Sequence, residues 1–182
     1  MTAELEKYLG VDKVIWVKEG IDPDVTNGQY RRLRDVHRAR RDGLHLDDDP
    51  DYPFYRQCHE IYETLSNAID AKGRKLKVYK LPMPEKPCYM SEAEAASIDL
   101  VNPRTAQDEP QIASYMNYLV TNHGCIVPQY GDANDALAVE TLQNIYDETW
   151  GKGEFECIGV DSRQVVYGGG NIHCITQQEP SA

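Results

Sequence analysis

The chain has 182 residues, and 19 Lys and Arg against 30 Asp and Glu leave a formal charge of −11 with 41% of residues hydrophobic. That is one domain, or one and a fraction, at about 150 residues per domain, with enough apolar material for a packed core. The acidity argues against nucleic acid as a partner, no run approaches the ~18 apolar residues of a membrane span, and MTAELEKYLG lacks the apolar stretch of a signal peptide, so a soluble cytoplasmic protein is expected.

Val14-Ile15-Trp16-Val17 predicts a short buried strand, followed by a turn-rich stretch from Gly20 to Gly28. Within residues 51–71 the apolar positions Tyr55, Cys58, Ile61, Tyr62, Leu65, Ala68 and Ile69 have helical spacing, with Pro53 tolerable only in the first turn. Gly73 is expected to end this helix. Leu76, Val78 and Leu81 fit a strand stopped by Pro82, Pro84 and Pro87. Residues 84–112, with Pro103 and Pro110 as well, predict a long irregular connection. Beyond it, residues 115–120 and 125–127 read as strands, 133–145 as a helix entered through Asp132, and 155–160 as a third strand. The helix and strand at 51–81 repeat the end of that order. An α/β fold of ββαβ modules is the expectation, and an ordinary mixed α/β sheet fits the order as well.

Residues 31–41, RRLRDVHRARR, hold six of the ten arginines and a net charge of +5, leaving −16 on the rest. A nucleic-acid arm lacks the interleaved aromatics needed for base stacking, and a solvated helix face has too few apolar positions to dock. A one-nucleotide shift across these codons is compatible with a text that alternates as a two-stranded hairpin turning at Pro-Gly. A frame or splice alteration over residues 29–47 is therefore the preferred reading.

Five cysteines, at 58, 88, 125, 157 and 174, form no C-x-x-C pair and read as reduced thiols. His and Cys residues elsewhere lack zinc-ligand spacing, so no metal is expected. Asp24 and Asp132 read as solvated or capping carboxylates. Near the end stands Tyr167-Gly168-Gly169-Gly170-Asn171-Ile172-His173-Cys174. Three glycines let a backbone approach a ligand closely, and Cys174 just beyond is placed to meet it; an inert, buried Cys174 on a strand is the alternative. On extended backbone His173 and Cys174 would point to opposite faces, which argues against His173 as the base for this thiol.

VDSRQVVYGGGNIHCITQQEP resembles the terminal motif of agmatine deiminases, within the wider family that includes the Porphyromonas-type peptidylarginine deiminases. YLGVDKVIWVKEGI, DVTNG, DAKGRKLKVYKLPMP and ASYMNYLVTNHGCIVPQYGDANDALA carry the resemblance over nearly all of the chain outside the arginine-rich segment. It implies a carboxy-terminal portion of a five-bladed α/β-propeller (a pentein), here a single incomplete domain over 1–182. It also implies cofactor-free hydrolysis of a small-molecule guanidinium substrate, agmatine, with no nucleic acid or membrane partner and a homo-oligomer left open. The family nucleophile maps onto Cys174, and Gly169, Gly170 and Asn171 are candidates for backbone contacts to substrate. After DVTNG the family carries His-x-Asp, the acid/base and one guanidinium-binding carboxylate; here those positions hold Gln29 and Arg31. A further tryptophan- and aspartate-bearing motif belongs to the part not present, so the chain alone is expected to be inactive. Deimination of peptidylarginine or another guanidine is the alternative within enzymes, and a non-catalytic fragment or pseudoenzyme the alternative outside them.

Overall fold

The computed structural model describes residues 1–18, 41–45 (as backbone), 50–52, 55–97, 110–111, 113–177 and 179. The first helix, α1 (Thr2–Leu9), stops at Gly10, whose φ of 61° is left-handed. Residues 14–17, expected as a strand, pair with no strand among the described residues. Ile15 and Val17 instead lay half-buried side chains on Ile61 and Leu65, while Trp16 is exposed and donates its Nε1–H to Thr2 Oγ1 at 3.1 Å. Alternating burial, the strand signal, arises here from packing on a helix.

Strand β1 (Arg41–His45) pairs in parallel with β2 (Lys77–Leu81), and α2 (Tyr55–Asn67) makes the crossover between them. β1 lies inside the segment suspected of a frame alteration; positions 29–40 and 46–47, and the turn-rich stretch at 20–28, lie outside the described residues. α2 buries Cys58, Ile61 and Leu65, as their spacing predicts, but it ends at Asn67, six residues before Gly73. The reason is a competing turn. The Asp70 carboxylate accepts the N–H groups of Lys72 and Arg74, both at 2.9 Å, and the Arg74 Nε–H at 2.6 Å. Gly73, at φ 75°, serves this turn, which closes an Ile69–Lys75 bridge and leaves Ile69 43% exposed.

The connection after β2 is not wholly irregular: it contains α3 (Glu92–Ser97) and a bridge between Cys88 and Gln111. Ser91 and Glu94 close a reciprocal cap, the Ser91 N–H to Glu94 Oε2 at 2.8 Å and the Glu94 N–H to Ser91 Oγ at 3.3 Å.

One complete ββαβ unit follows: β3 (Leu119–Val120), β4 (Gly124–Gln129), α4 (Asp135–Trp150) and β5 (Glu156–Asp161). β3 is antiparallel to β4, and β4 is parallel to β5 with α4 as the crossover. β3 is shorter than the predicted 115–120, because residues 114–117 form a turn with the Asn117 N–H on the Ser114 carbonyl at 3.1 Å. Pro128 in β4 has no N–H to offer a neighbouring strand, and its carbonyl takes the Gln129 side-chain amide at 2.9 Å. α4 buries Ala138, Leu142, Ile145 and Tyr146, positions i, i+4, i+7 and i+8 of one face, and Tyr146 stacks on Phe155 with centroids 4.0 Å apart. Its outer edge grips β2: Glu148 accepts from Lys77 Nζ at 2.6 Å and from the Tyr79 hydroxyl at 2.7 Å. Gly124 has no room for a side chain, since a Cβ there would stand 2.5 Å from the Glu156 carbonyl oxygen. The last element is α5 (Arg163–Val166). No described helix is long and apolar enough to cross a membrane.

Candidate active site

Asp132 and Asp135 hold the entrance to α4. Asp135 accepts the N–H groups of Tyr130, Gly131 and Asp132 between 2.9 and 3.1 Å, and the Tyr115 hydroxyl at 2.8 Å. Asp132 accepts the N–H of Asn134 and, across the chain, that of Glu85, each at 2.9 Å. Of the solvated or capping roles read for Asp132, the structure shows a carboxylate closing the turn ahead of α4, whose N-cap is Asn134, and Asp24 lies outside the described residues.

This corner fixes Tyr130, and Tyr130 fixes the cysteine turn. The buried Tyr130 hydroxyl donates to the Ser114 carbonyl and accepts the Ser114 N–H, both at 2.9 Å, and accepts the Asn171 side-chain amide at 3.1 Å. Burial pushes the Tyr130 phenol above its ordinary range, so it stays a neutral donor and acceptor. Asn171, 1% exposed, also takes the Ile172 N–H on its Oδ1 at 2.7 Å and the Ile175 N–H on its carbonyl at 3.2 Å.

From that anchor the chain turns over residues 172–175 and presents Cys174 at the surface as an exposed thiol in no disulfide. The buried Cys174 on a strand, given as the alternative, is not found, and extended backbone does not set His173 and Cys174 on opposite faces here. The His173 N–H instead donates to the Asn117 carbonyl at 3.1 Å. Asn117 also grips Cys174 twice: its Nδ2–H points to Sγ at 3.2 Å, and its Oδ1 accepts the Cys174 N–H at 3.2 Å. Gly169 takes φ 82°, and a Cβ on Gly170 would stand 2.8 Å from the Cys174 Cβ. The glycines thus let the backbone pass close to the thiol. Gly169 ends the turn at 167–169, and Gly170 and Asn171 link it to the turn at 172–175 that carries Cys174; Gln29 and Arg31 lie outside the described residues. Nothing in the sequence pointed to Asn117, 57 positions upstream of the cysteine it holds.

A clamp behind the turn was also missed. Arg163 of α5 donates to Glu94 Oε1 at 3.1 Å, to Cys88 Sγ at 3.1 Å and to the Tyr89 carbonyl at 2.6 Å. The neighbouring Tyr167 hydroxyl, the Ser91 N–H and the Arg163 guanidinium hold the Glu94 carboxyl down at about 2. The site can therefore offer a fixed, accessible thiol with an amide on its sulfur. Among the described residues no group of three or more His, Cys, Asp or Glu side chains could hold a metal.

Known proteins share this chain and this backbone. A Streptococcus mutans protein provisionally named agmatine deiminase is 43% identical over 180 residues, covering 98% of this chain and 47% of its own length. A Lactococcus lactis protein with the same provisional name is 41% identical over 181 residues with the same coverage. The chain thus spans about half the length of the curated relatives it matches. The solved structure of agmatine deiminase from Enterococcus faecalis superposes with a TM-score of 0.82 at 42% identity, over 98% of this chain and 47% of that one. The α/β backbone is that of the solved agmatine and arginine deiminases. The profile of the Porphyromonas-type peptidyl-arginine deiminases matches residues 1–180, and the chain belongs to that family.

Proposed function

We propose that the whole protein is an agmatine deiminase, converting agmatine and water to N-carbamoylputrescine and ammonia in the cytoplasm without a cofactor. Cys174 is its nucleophile. The thiolate adds to the guanidinium carbon, ammonia leaves, and water releases the resulting thiouronium as the ureido product. Asn117 orients the sulfur, and Gly169, Gly170 and Asn171 shape the backbone that the guanidinium approaches. The ββαβ unit is one blade of a five-bladed propeller of which this chain supplies part. The observation that carries the reading is the exposed Cys174 sulfur held by the Asn117 amide on a turn just after three glycines, in a chain of this family.

Gln29 and Arg31 favour a second reading, a non-catalytic chain. A neutral amide does not cycle a proton near neutral pH, and an arginine repels a cationic substrate. The test completes the chain with the part of the Enterococcus faecalis enzyme that it does not cover, with and without Gln29→His and Arg31→Asp. Ammonia and ureido product are then measured with agmatine and with a blocked arginine. Turnover of agmatine only in the restored form, abolished by Cys174→Ala, is expected. Turnover that survives Cys174→Ala, or none in the restored form, overturns the assignment. Preference for the blocked arginine moves it to peptidylarginine.

A further inference from the structure

Away from the cysteine turn, β4 and β5 each carry a cysteine as their second residue, and the parallel register sets Cys125 directly beside Cys157. Their side chains share the face under α4, 1% and 8% exposed, with Sγ atoms 2.9 Å apart, and both are free thiols. Two observations on the neighbouring residues show the strands held close at this point. Gly124, one residue before Cys125, leaves no space for a side chain against Glu156. The Gln143 side chain of α4 fixes the start of β5, accepting the Cys157 N–H at 2.8 Å and donating to the Phe155 carbonyl at 2.7 Å.

We propose that Cys125 and Cys157 are a dithiol modification site that closes to a cross-strand disulfide under peroxide, locking β4 to β5. Neighbouring strands lie about 4.8 Å apart, inside the ~4.4–6.8 Å between Cα atoms that a disulfide spans. The sulfurs need approach by only about 0.9 Å to reach bonding distance. Hydrogen peroxide takes two electrons from one thiol sulfur, leaving a sulfenic acid and one water. The second thiol displaces the oxygen, which leaves as a second water while the S–S bond forms. The adjoining Cys157 thiol and burial push the Cys125 thiol far above its ordinary range, so closure waits on a brief opening of the α4–sheet contact. The site is independent of Cys174 and of the reading given to it. Its consequence reaches the turn all the same, because β4 runs into Tyr130 and β5 into α5.

The test uses the full 182-residue chain carrying Cys174→Ser, which removes the exposed thiol. After hydrogen peroxide and alkylation, non-reducing peptide mapping is expected to find the Cys125 and Cys157 peptides joined within one chain, about 2 Da lighter than the two free thiols. Dithiothreitol restores both thiols, and the oxidised chain unfolds at higher denaturant. Oxidation in denaturant should scramble the pairing among Cys58, Cys88, Cys125 and Cys157. Recovery of Cys125 and Cys157 as free thiols, or their joining to another cysteine under native conditions, overturns the proposal. Adding Cys125→Ala should leave Cys157 alkylatable, and a persistent link at Cys157 would contradict it.

Discussion

Gly170 and Cys174 nearly touch, and Asn117 closes on the same thiol from a distant part of the chain. A methyl group on Gly170 would meet the Cys174 Cβ, which cannot swing away as a side-chain tip can. Gly170→Ala is therefore expected to push the sulfur off the Asn117 amide and, in the completed enzyme, to lower kcat by about 10²-fold, the scale of an ångström's misplacement. Wild-type kcat in that variant would show that the space exists. At this scale the sequence showed three glycines just before a cysteine, and the close approach they allow in the structure is that of Gly170 to Cys174 itself. Asn117 was not readable, because its neighbours in sequence are unremarkable turn residues and only folding brings it to the thiol. The extended backbone assumed around His173 failed for a different reason: the Asn171 carbonyl bends the chain by taking the Ile175 N–H.

Among elements, α2 and α4 were legible because their apolar side chains repeat at the helical period, and β2, β4 and β5 because they are short apolar stretches bounded by glycine or proline. Their ends were less so. Ile69 extends the helical pattern by chance, and the Asp70 turn wins because one carboxylate satisfies two backbone N–H groups and Arg74 together. α3 was hidden by the prolines on either side, although Ser91-x-x-Glu94 is the signature of a capped helix start. That cap makes a pH prediction. Glu94 is held at about 2 in the folded chain against an ordinary 4.5, so its stabilisation is complete above about 4.5 and lost as pH falls through about 2. Asp70, lowered to about 2 chiefly by the Arg74 hydrogen bond, loses its contribution over the same window. The informative quantity is therefore the difference between wild type and Glu94→Gln. Denaturation midpoints measured from pH 5 to pH 2 should fall less steeply in the variant, and parallel curves would remove Glu94 from the account.

For the molecule as a whole, composition correctly indicated a packed core, and most of that core forms one cluster that α4, the second sheet and the segments flanking them share. The other face of that sheet is less well covered: Ile158 and Val160 of β5 stand 46% and 41% exposed. Among the described residues no strand pairs with the far edge of β5. An apolar strand with a free edge invites pairing with another copy. Concentration-dependent association of the isolated chain is expected in sedimentation velocity, weakened by Ile158→Lys; unchanged sedimentation over a hundredfold range of concentration would count against it. The sheet's opposite edge is finished differently. If the β3–β4 register, which pairs Leu119 with Ile126, continued by two residues, Asn117 would face Pro128. A proline has no hydrogen to give, so the ladder loses a rung there and the Asn117 carbonyl is released to the His173 N–H. The donor missing from one imino ring is thus what leaves an acceptor vacant for the cysteine turn, and the place where the sheet stops is the place where the thiol is moored.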